Sequence, residues 1–241
     1  MLARSQKALL SGLIDYAGLF PPAALSMEEA VRNYARYREG EHAWMLGKFV
    51  VSEARAHEVP AEFPKSVLGV DEVKADGEFA SFRPKTFIEI TDVGLIPELA
   101  KHGLSAKIRT GGLTPEAIPH LDRIATFIHV CAMHGVPFKA TAGLHHPVRC
   151  VRALTYEPDS PRATMHGFIN VFMAAAFPHQ AERVLAEEDP KAFRFEDDAA
   201  WWRDHAVTTE HLEDVRREFA ISFGSCSFEE PIADLQELGW L

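Results

Sequence analysis

Short apolar runs alternate with amphipathic stretches along the chain, as expected when parallel strands are joined by helical crossovers. Charged or Pro/Gly-containing connections bound most of these runs. The pattern predicts eight strands, at residues 12–20, 44–51, 66–70, 86–90, 104–110, 137–143, 193–195 and 219–225. The apolar segment 166–177 continues into 181–189 with helical spacing, so it is predicted to be a helix.

Two helices carry clear terminal signals. Ser26 and Glu29 have the spacing of a capping box, which predicts a helix from there to about Arg38. Thr114-Pro115-Glu116 predicts the start of a long helix with proline at its first position, and Gly135 predicts its end.

Eight strands with helices between most of them predict a (β/α)8 TIM-like barrel that is irregular at its seventh unit. Residues 1–241 then form one α/β domain, in which 156–165 and 187–207 are expected to be lid or capping segments. An open doubly wound sheet is the alternative. No G-x-G-x-x-G motif follows the first strand, which disfavours a dinucleotide-binding fold.

Composition narrows the class of ligand. A net charge of -10 disfavours nucleic acid and favours a small molecule, because phosphate backbones are bound by clustered Lys and Arg. No apolar stretch is long enough for a membrane span or typical of a signal peptide. Cys131, Cys150 and Cys226 lack close pairing, so we expect buried thiols and a cytoplasmic protein. No cofactor is predicted, and a homo-oligomer is compatible with the sequence.

Two neighbouring strands carry the most suggestive chemistry. Side chains alternate along a strand, so Lys107 and Arg109 share one face of the fifth strand. Lys139 and Thr141 share one face of the sixth, and Glu89 has the equivalent position on the fourth. The opposite faces are small and apolar, which suits packing against helices. The sequence therefore predicts that three cations face the interior of the barrel beside one carboxylate.

Inward charges are costly unless they are paired or used, so the cluster is either a structural ion-pair network or a functional site. Like charges beside Lys139 are expected to lower its pKa and make it a better nucleophile. A neutral lysine attacks a carbonyl to form a Schiff base, whose iminium permits cleavage or formation of the adjacent carbon-carbon bond. Lys139 is the predicted nucleophile, with Lys107, Arg109 and Glu89 tuning its charge.

The stretch AKIRTGGLTPEAI followed by PFKATAG resembles deoxyribose-phosphate aldolase and related class I aldolases over about 40 residues. The resemblance implies that Lys139 is the Schiff-base lysine and that the protein is a lyase. Those aldolases place a second essential lysine on the next strand, whereas the region after Gly143 has no lysine before Lys191. Lys107 would have to take that role, and Glu89 would stand for the acidic residue of an earlier strand.

Other candidates lie at predicted strand ends, where barrel enzymes place their catalytic residues. Asp15, Tyr16 and His145 are candidate proton donors or acceptors. The structural alternatives are that Asp15 anchors a turn and that Tyr16 is a packed ring. The remaining candidates are expected to bind substrate together with Arg109: Thr110, Thr141, His146, Gly224 and Ser225. No spacing typical of a metal site supports one at His145 and His146.

Three functions follow, and the sequence leaves them open. The first is an aldolase-like lyase that forms a Schiff base with a small carbonyl substrate. The second is a noncovalent or metal-assisted isomerase or hydrolase, in which the cations hold an anionic metabolite. The third is a noncatalytic protein that binds a small anion.

Overall fold

The computed structural model describes residues 2–241, and its central feature is a closed barrel. The strands of the described chain are β1 (Ile14–Tyr16), β2 (Leu46–Ser52), β3 (Lys65–Leu68), β4 (Glu72–Lys74), β5 (Phe87–Glu89), β6 (Ser105–Arg109), β7 (Phe138–Thr141), β8 (Cys150–Ala153), β9 (Arg162–Met165), β10 (Phe193–Phe195), β11 (Ala199–Trp202), β12 (His205–Thr208) and β13 (Ala220–Ser225). The barrel consists of β1 to β7 and β13, in the order β1-β13-β7-β6-β5-β4-β3-β2. Every neighbouring pair is parallel, including the closing pair β1 and β2. The closed sheet confirms an α/β TIM-like barrel and excludes the open doubly wound sheet.

The helices pack around this barrel and follow the signals in the sequence. They are α1 (Arg4–Leu10), α2 (Met27–Glu39), α3 (Ile96–Lys101), α4 (Leu121–His134), α5 (Phe168–Ala176), α6 (Ala181–Leu185), α7 (Thr209–Glu218) and α8 (Glu229–Glu237). The capping box of Ser26 and Glu29 is present at the start of α2. Gly135 ends α4 with φ of 63°, a left-handed conformation that glycine adopts without a steric penalty. The predicted helix in 166–177 is also confirmed, as α5.

The sequence predicts that the long helix begins at Thr114, but it begins later. Residues Pro115–Ala117 form a single 3₁₀ turn, and α4 begins only at Leu121. Ile118 has an extended backbone, with φ of -85° and ψ of 114°. Pro119 explains this, because a proline disfavours the helical conformation of the residue before it.

One strand lies in a different place from that predicted, and another was not predicted. Residues Phe193–Phe195 do form a strand, but it does not join the barrel and instead forms one edge of an antiparallel sheet with β11 and β12. In the barrel β7 pairs directly with β13, and the eighth strand is β4, between β3 and β5, which the hydrophobic pattern did not predict. Strand β4 follows β3 after only the turn 69–71, without a helix between them.

The two predicted lid segments lie in different places. The hairpin of β8 and β9 covers most of 150–165 and sits where β7 and β13 end, because Tyr156 contacts Cys226 and Glu230. The segment 187–207 contains the antiparallel sheet, which packs against α1 through the hydrogen bond from Ser5 N to Glu196 O. Only the hairpin therefore borders the carboxyl ends of the barrel strands.

A buried arginine joins the end of α1 to the start of β13. Arg216, on α7, donates from Nε to Leu9 O at 2.8 Å and from Nη1 to Ile221 O at 2.7 Å. It also donates to Ala220 O and Ser11 O. Burial lowers the pKa of Arg216 to about 9, although the charge of Asp15 partly opposes this effect.

Within residues 2–241, no helix combines the length and the apolar character needed to cross a membrane.

Candidate functional site

The carboxyl ends of the barrel strands surround a cavity of about 490 Å³, which we call the lysine cavity. Its polar lining includes Glu72, Lys74, Glu89, Lys107, Arg109, Lys139, Thr141 and His145. The strand register explains how these side chains meet. Lys74 is opposite Glu89, Glu89 is opposite Lys107, and Lys107 is opposite Lys139 on successive strands. Since residues in register on neighbouring strands share a face, one row of charged side chains points into the cavity.

An ion-pair network connects these charges. Lys139 Nζ lies 2.7 Å from Asp15 Oδ2 and 2.6 Å from Glu72 Oε1. Lys107 Nζ lies 2.9 Å from Glu72 Oε2 and 3.1 Å from Glu89 Oε2. Glu72 thus bridges the two lysines, and all five side chains are less than a tenth exposed. The inward orientation of Lys107, Lys139 and Glu89 expected from strand alternation is present.

Neutral donors add to the hydrogen bonding of Asp15 and Glu72, and Lys74 Nζ lies 3.4 Å from Glu89 Oε1. Asp15 accepts hydrogen bonds from Lys48 N and from Ser222 Oγ, both at 2.7 Å. Glu72 accepts one from Ser66 Oγ at 2.5 Å. Gly47 makes room for this arrangement, because a Cβ atom there would collide with Asp15 Oδ1. These hydrogen bonds fix both carboxylates in position.

The electrostatics of Lys139 are the reverse of those expected from the sequence. Burial alone lowers its pKa, but the charges of Asp15 and Glu72 outweigh burial and raise the pKa of Lys139 above its ordinary value. The expectation of a lowered pKa was therefore wrong, because it considered neighbouring cations and missed the nearer carboxylates. For Glu72, burial favours the neutral acid, yet Lys139 and Lys107 lower its pKa to about 2.

Arg109 differs from the two lysines. It lines the same cavity, but its side chain is exposed at the rim rather than buried with Lys107 and Lys139. Among residues 2–241 it makes no ion pair. It is the last residue of β6, opposite Thr141 at the end of β7, so it lies at the carboxyl end of the barrel. The predicted trio of buried cations is corrected to two buried lysines and one arginine at the entrance.

Five predicted site residues do not line the lysine cavity: Asp15, which pairs with Lys139, and Tyr16, Thr110, His146 and Ser225. Tyr16 points to the other side of β1 from Asp15 and packs against the rings of Tyr34 and Phe49. Adjacent strand residues face opposite sides, so both could not enter the barrel. Thr110 Oγ1 donates to Ala142 O at 2.5 Å, which joins two loops rather than facing the cavity.

Of the last two residues of β13, only one lines the lysine cavity. Gly224 lines the cavity beside Thr141, whereas Ser225 is buried outside it. Ser225 Oγ accepts a hydrogen bond from Ser227 N at 3.3 Å and so supports the turn that leads to α8. Ser225 therefore stabilises the loop and does not contact the cavity.

The two histidines are each paired with a carboxylate on α8. His145 Nδ1 lies 2.8 Å from Glu230 Oε2, and His146 Nδ1 lies 2.6 Å from Asp234 Oδ2. Burial favours the neutral form of Glu230, but His145, His146 and the hydrogen bond from Tyr156 together outweigh burial, so the pKa of Glu230 lies below its ordinary value. His145 lines the lysine cavity and His146 does not. Only His145 is therefore positioned to exchange protons with a ligand beside Lys139.

Sequence reasoning missed Glu72, which is the centre of the network. It lies on a three-residue strand whose inward positions, Glu72 and Lys74, are both charged, so no hydrophobic alternation marks it. The available signal was electrostatic, because two buried lysines need more than the single carboxylate of Glu89. A search for further acids near strand ends would have suggested Asp15 and Glu72 as partners.

Within residues 2–241 no group of three or more His, Cys, Asp or Glu side chains is arranged to hold a metal ion. Comparison of the chain with protein-family models, with curated proteins and with solved structures gives no match. The resemblance to class I aldolases therefore remains a prediction from the residues that carry it. The chemistry of this site has to be argued from its own geometry.

Proposed function

We propose that this protein is an aldolase-like lyase that forms a Schiff base between Lys139 and a small carbonyl substrate. The observation that carries the proposal is the position of Lys139 Nζ. It is bound by two carboxylates in the wall of a cavity at the carboxyl end of a TIM-like barrel, where barrel enzymes hold their active sites.

An ammonium group needs a proton acceptor before it can attack. The raised pKa means that Lys139 is protonated at rest, and Asp15, 2.7 Å from Nζ, is the proposed acceptor, because a pKa of about 2 makes Glu72 a poor base. The free amine then attacks the carbonyl carbon to give a carbinolamine. The same carboxyl group returns the proton to the departing hydroxyl, which leaves as water.

The network also stabilises the product of this step. The iminium carries one positive charge close to where the ammonium charge was, so Asp15 and Glu72 stabilise both without rearrangement. Preorganised charges of this kind lower the energy of a cationic intermediate more than water does, because they need not reorient. The features that raise the pKa of Lys139 therefore favour the iminium as well.

Carbon-carbon cleavage then needs a base for the substrate hydroxyl. His145 is available, because Glu230 holds its Nδ1 and leaves Nε2 as the other ring nitrogen. Removal of the hydroxyl proton releases an aldehyde, and the bond electrons move to the iminium nitrogen to form an enamine. Protonation of the enamine and addition of water return the free lysine. Arg109 and Thr141 would bind the polar end of the substrate at the rim.

Other features support the same setting. Cys131, Cys150 and Cys226 are free thiols, which supports a cytoplasmic location, where thiols stay reduced. The long connection between β7 and β13, which we take as the irregular unit of the barrel, supplies Leu154 and Met165 to the cavity wall. These apolar residues would help to exclude water from the iminium.

Borohydride trapping tests the proposal. The protein is incubated with a panel of small aldehydes and ketones, reduced, digested and analysed by mass spectrometry. We expect a reduced adduct on Lys139 in the wild type and none there in Lys139→Arg, which keeps the charge of the network. Lys101→Arg is the control, because Lys101 is an exposed lysine outside the cavity. A folded protein that gives no adduct with any carbonyl compound, or an adduct on Lys107 alone, would overturn the assignment.

The charge state of Lys139 favours a second candidate. A permanently protonated Lys139, together with the unpaired Arg109, suits noncovalent binding of an anionic metabolite, with or without its isomerisation or hydrolysis. Small acids would then stabilise the protein against heat without any borohydride adduct. Stabilisation that is lost in Arg109→Ala but kept in Lys101→Arg would identify this mode.

A further inference from the structure

A second cavity of about 200 Å³ lies beside the lysine cavity, between the β8–β9 hairpin and α8. We call it the hairpin cavity, and its polar lining consists of His145, His146, Arg152, Thr155, Tyr156, Arg162 and Glu230. The two cavities share wall residues Pro22, His145, Leu154 and Met165. The two cavities are therefore direct neighbours.

Two arginines of the hairpin are held next to each other without a counterion. Arg152 Nη1 donates to Val151 O at 3.4 Å, and Arg162 Nη2 donates to the same oxygen at 3.2 Å. Neither arginine makes an ion pair with any carboxylate of residues 2–241. One shared carbonyl uses a single donor of each guanidinium, so most of their five N–H groups remain available.

The one carboxylate in this cavity is already engaged. Glu230 Oε2 accepts from His145 Nδ1 at 2.8 Å and from Tyr156 Oη at 3.3 Å. His146 is held by Asp234 on the outer side. The hairpin cavity therefore has an excess of positive charge and of unused donors. Two adjacent guanidinium groups in this arrangement match the oxygens of a phosphate or carboxylate.

We propose that the hairpin cavity is an anion subsite, in which Arg152 and Arg162 bind a phosphate or carboxylate group. The further statement that this group belongs to the ligand whose carbonyl reaches Lys139 rests on the proposed function. The subsite is distinct from Arg109, which lies at the rim of the lysine cavity and does not line the hairpin cavity.

Calorimetric titration at constant ionic strength tests the subsite without any Schiff-base chemistry. Inorganic phosphate and acetate are titrated separately into the wild type, Arg152→Ala, Arg162→Ala and the double variant. Arg109→Ala and Arg32→Ala are matched controls, the latter because Arg32 is an exposed arginine on α2. Each single variant is expected to bind the preferred anion about tenfold more weakly, and the double variant to lose binding. Preference for phosphate or for acetate identifies the group.

Several outcomes would overturn the subsite. These are no binding of either anion by the wild type at millimolar concentration, unchanged binding by the double variant, or equal weakening in Arg32→Ala. Loss of binding in Arg109→Ala alone would place the anion in the lysine cavity instead. Circular dichroism of each variant shows whether it is folded. If phosphate or acetate binds as expected while borohydride trapping fails, the subsite stands and the lyase proposal falls.

Discussion

Substitution of Glu72 by glutamine should destabilise the fold strongly, because this carboxylate bridges both buried lysines. One pKa unit corresponds to about 1.4 kcal/mol, so a pKa lowered from 4.5 to about 2 makes the ionised group about 3 kcal/mol more favourable in the folded protein. Glutamine keeps the shape of the side chain but removes the charge. It also places a donor beside two ammonium groups, which adds to the loss.

The stabilisation that Glu72 provides depends on pH, and it decreases as the pH falls. The pKa of Glu72 is lower in the folded than in the unfolded chain, so its stabilisation is fully present above pH 4.5. It is lost as the pH falls from 4.5 towards about 2. Over that range the difference between wild type and Glu72→Gln should shrink by about 1.4 kcal/mol per pH unit, since only the wild type has this group to protonate.

Urea unfolding, followed by circular dichroism between pH 7 and pH 3, measures both effects. Glu98→Gln is the control, because Glu98 pairs with Lys101 on the surface and solvent screens that pair. No measurable change is expected there. The reasoning is refuted if Glu72→Gln is as stable as the wild type at pH 7. A stability difference that stays constant from pH 5 to pH 3 would refute the electrostatic origin.

Three further predictions concern catalysis and the fold. Asp15→Asn should slow borohydride trapping about a hundredfold, because the carboxylate proposed to accept the proton of Lys139 is lost, whereas Tyr16→Phe should not change it. Gly143→Ala should cost about 2–3 kcal/mol in urea unfolding, because Gly143 has φ of 76° and a Cβ would lie 2.8 Å from the facing loop's backbone. Arg216→Lys should cost about 2–4 kcal/mol, because an ammonium cannot reach all the carbonyls that Arg216 binds, whereas exposed Arg217→Lys should be neutral.

Each of these predictions has a contrary result. Equal trapping rates for the Asp15 and Tyr16 variants would mean that Asp15 does not handle the proton. Full stability of Gly143→Ala would show that the two loops can separate at little cost. An Arg216→Lys variant no less stable than Arg217→Lys would mean that the buried guanidinium does not hold the end of α1 against the start of β13.

Strand periodicity predicted the parts of this site that follow from local alternation. Lys107 and Lys139 were placed on the same inward row because their strands have small apolar residues at the intervening positions. Alternation could not show which of Asp15 and Tyr16 faces inward, since β1 has only three residues and both faces of it are buried. The choice depends on the closing register with β13 and β2.

The hydrophobic pattern does not show which strands or charged residues far apart in the sequence are paired. Residues Phe193–Phe195 have the composition of a buried strand, but their partner is the nearby β11 and not a barrel strand. Strand β4 joins the barrel although its composition does not resemble a buried strand. Two of its three residues are charged, and only pairing with distant residues makes burial of Glu72 favourable. The pKa of Lys139 was misjudged for the same reason, because its nearest charges come from parts of the chain far away in sequence.

That separation makes the site an indicator of complete folding. Lys139 meets Asp15 across 124 residues, and Ser222 meets the same carboxylate across 207 residues. Contacts this distant in sequence form only after large loops have closed, which is entropically costly and late in folding. The segment 66–107 holds the contacts of Lys107 with Glu72 and Glu89, but the contacts of Lys139 need parts of the chain on both sides of it. A reagent that reacts with Lys139 only when it is paired with Asp15 and Glu72 would therefore distinguish two kinds of molecule: those whose barrel has closed, and those that are compact but have not closed it.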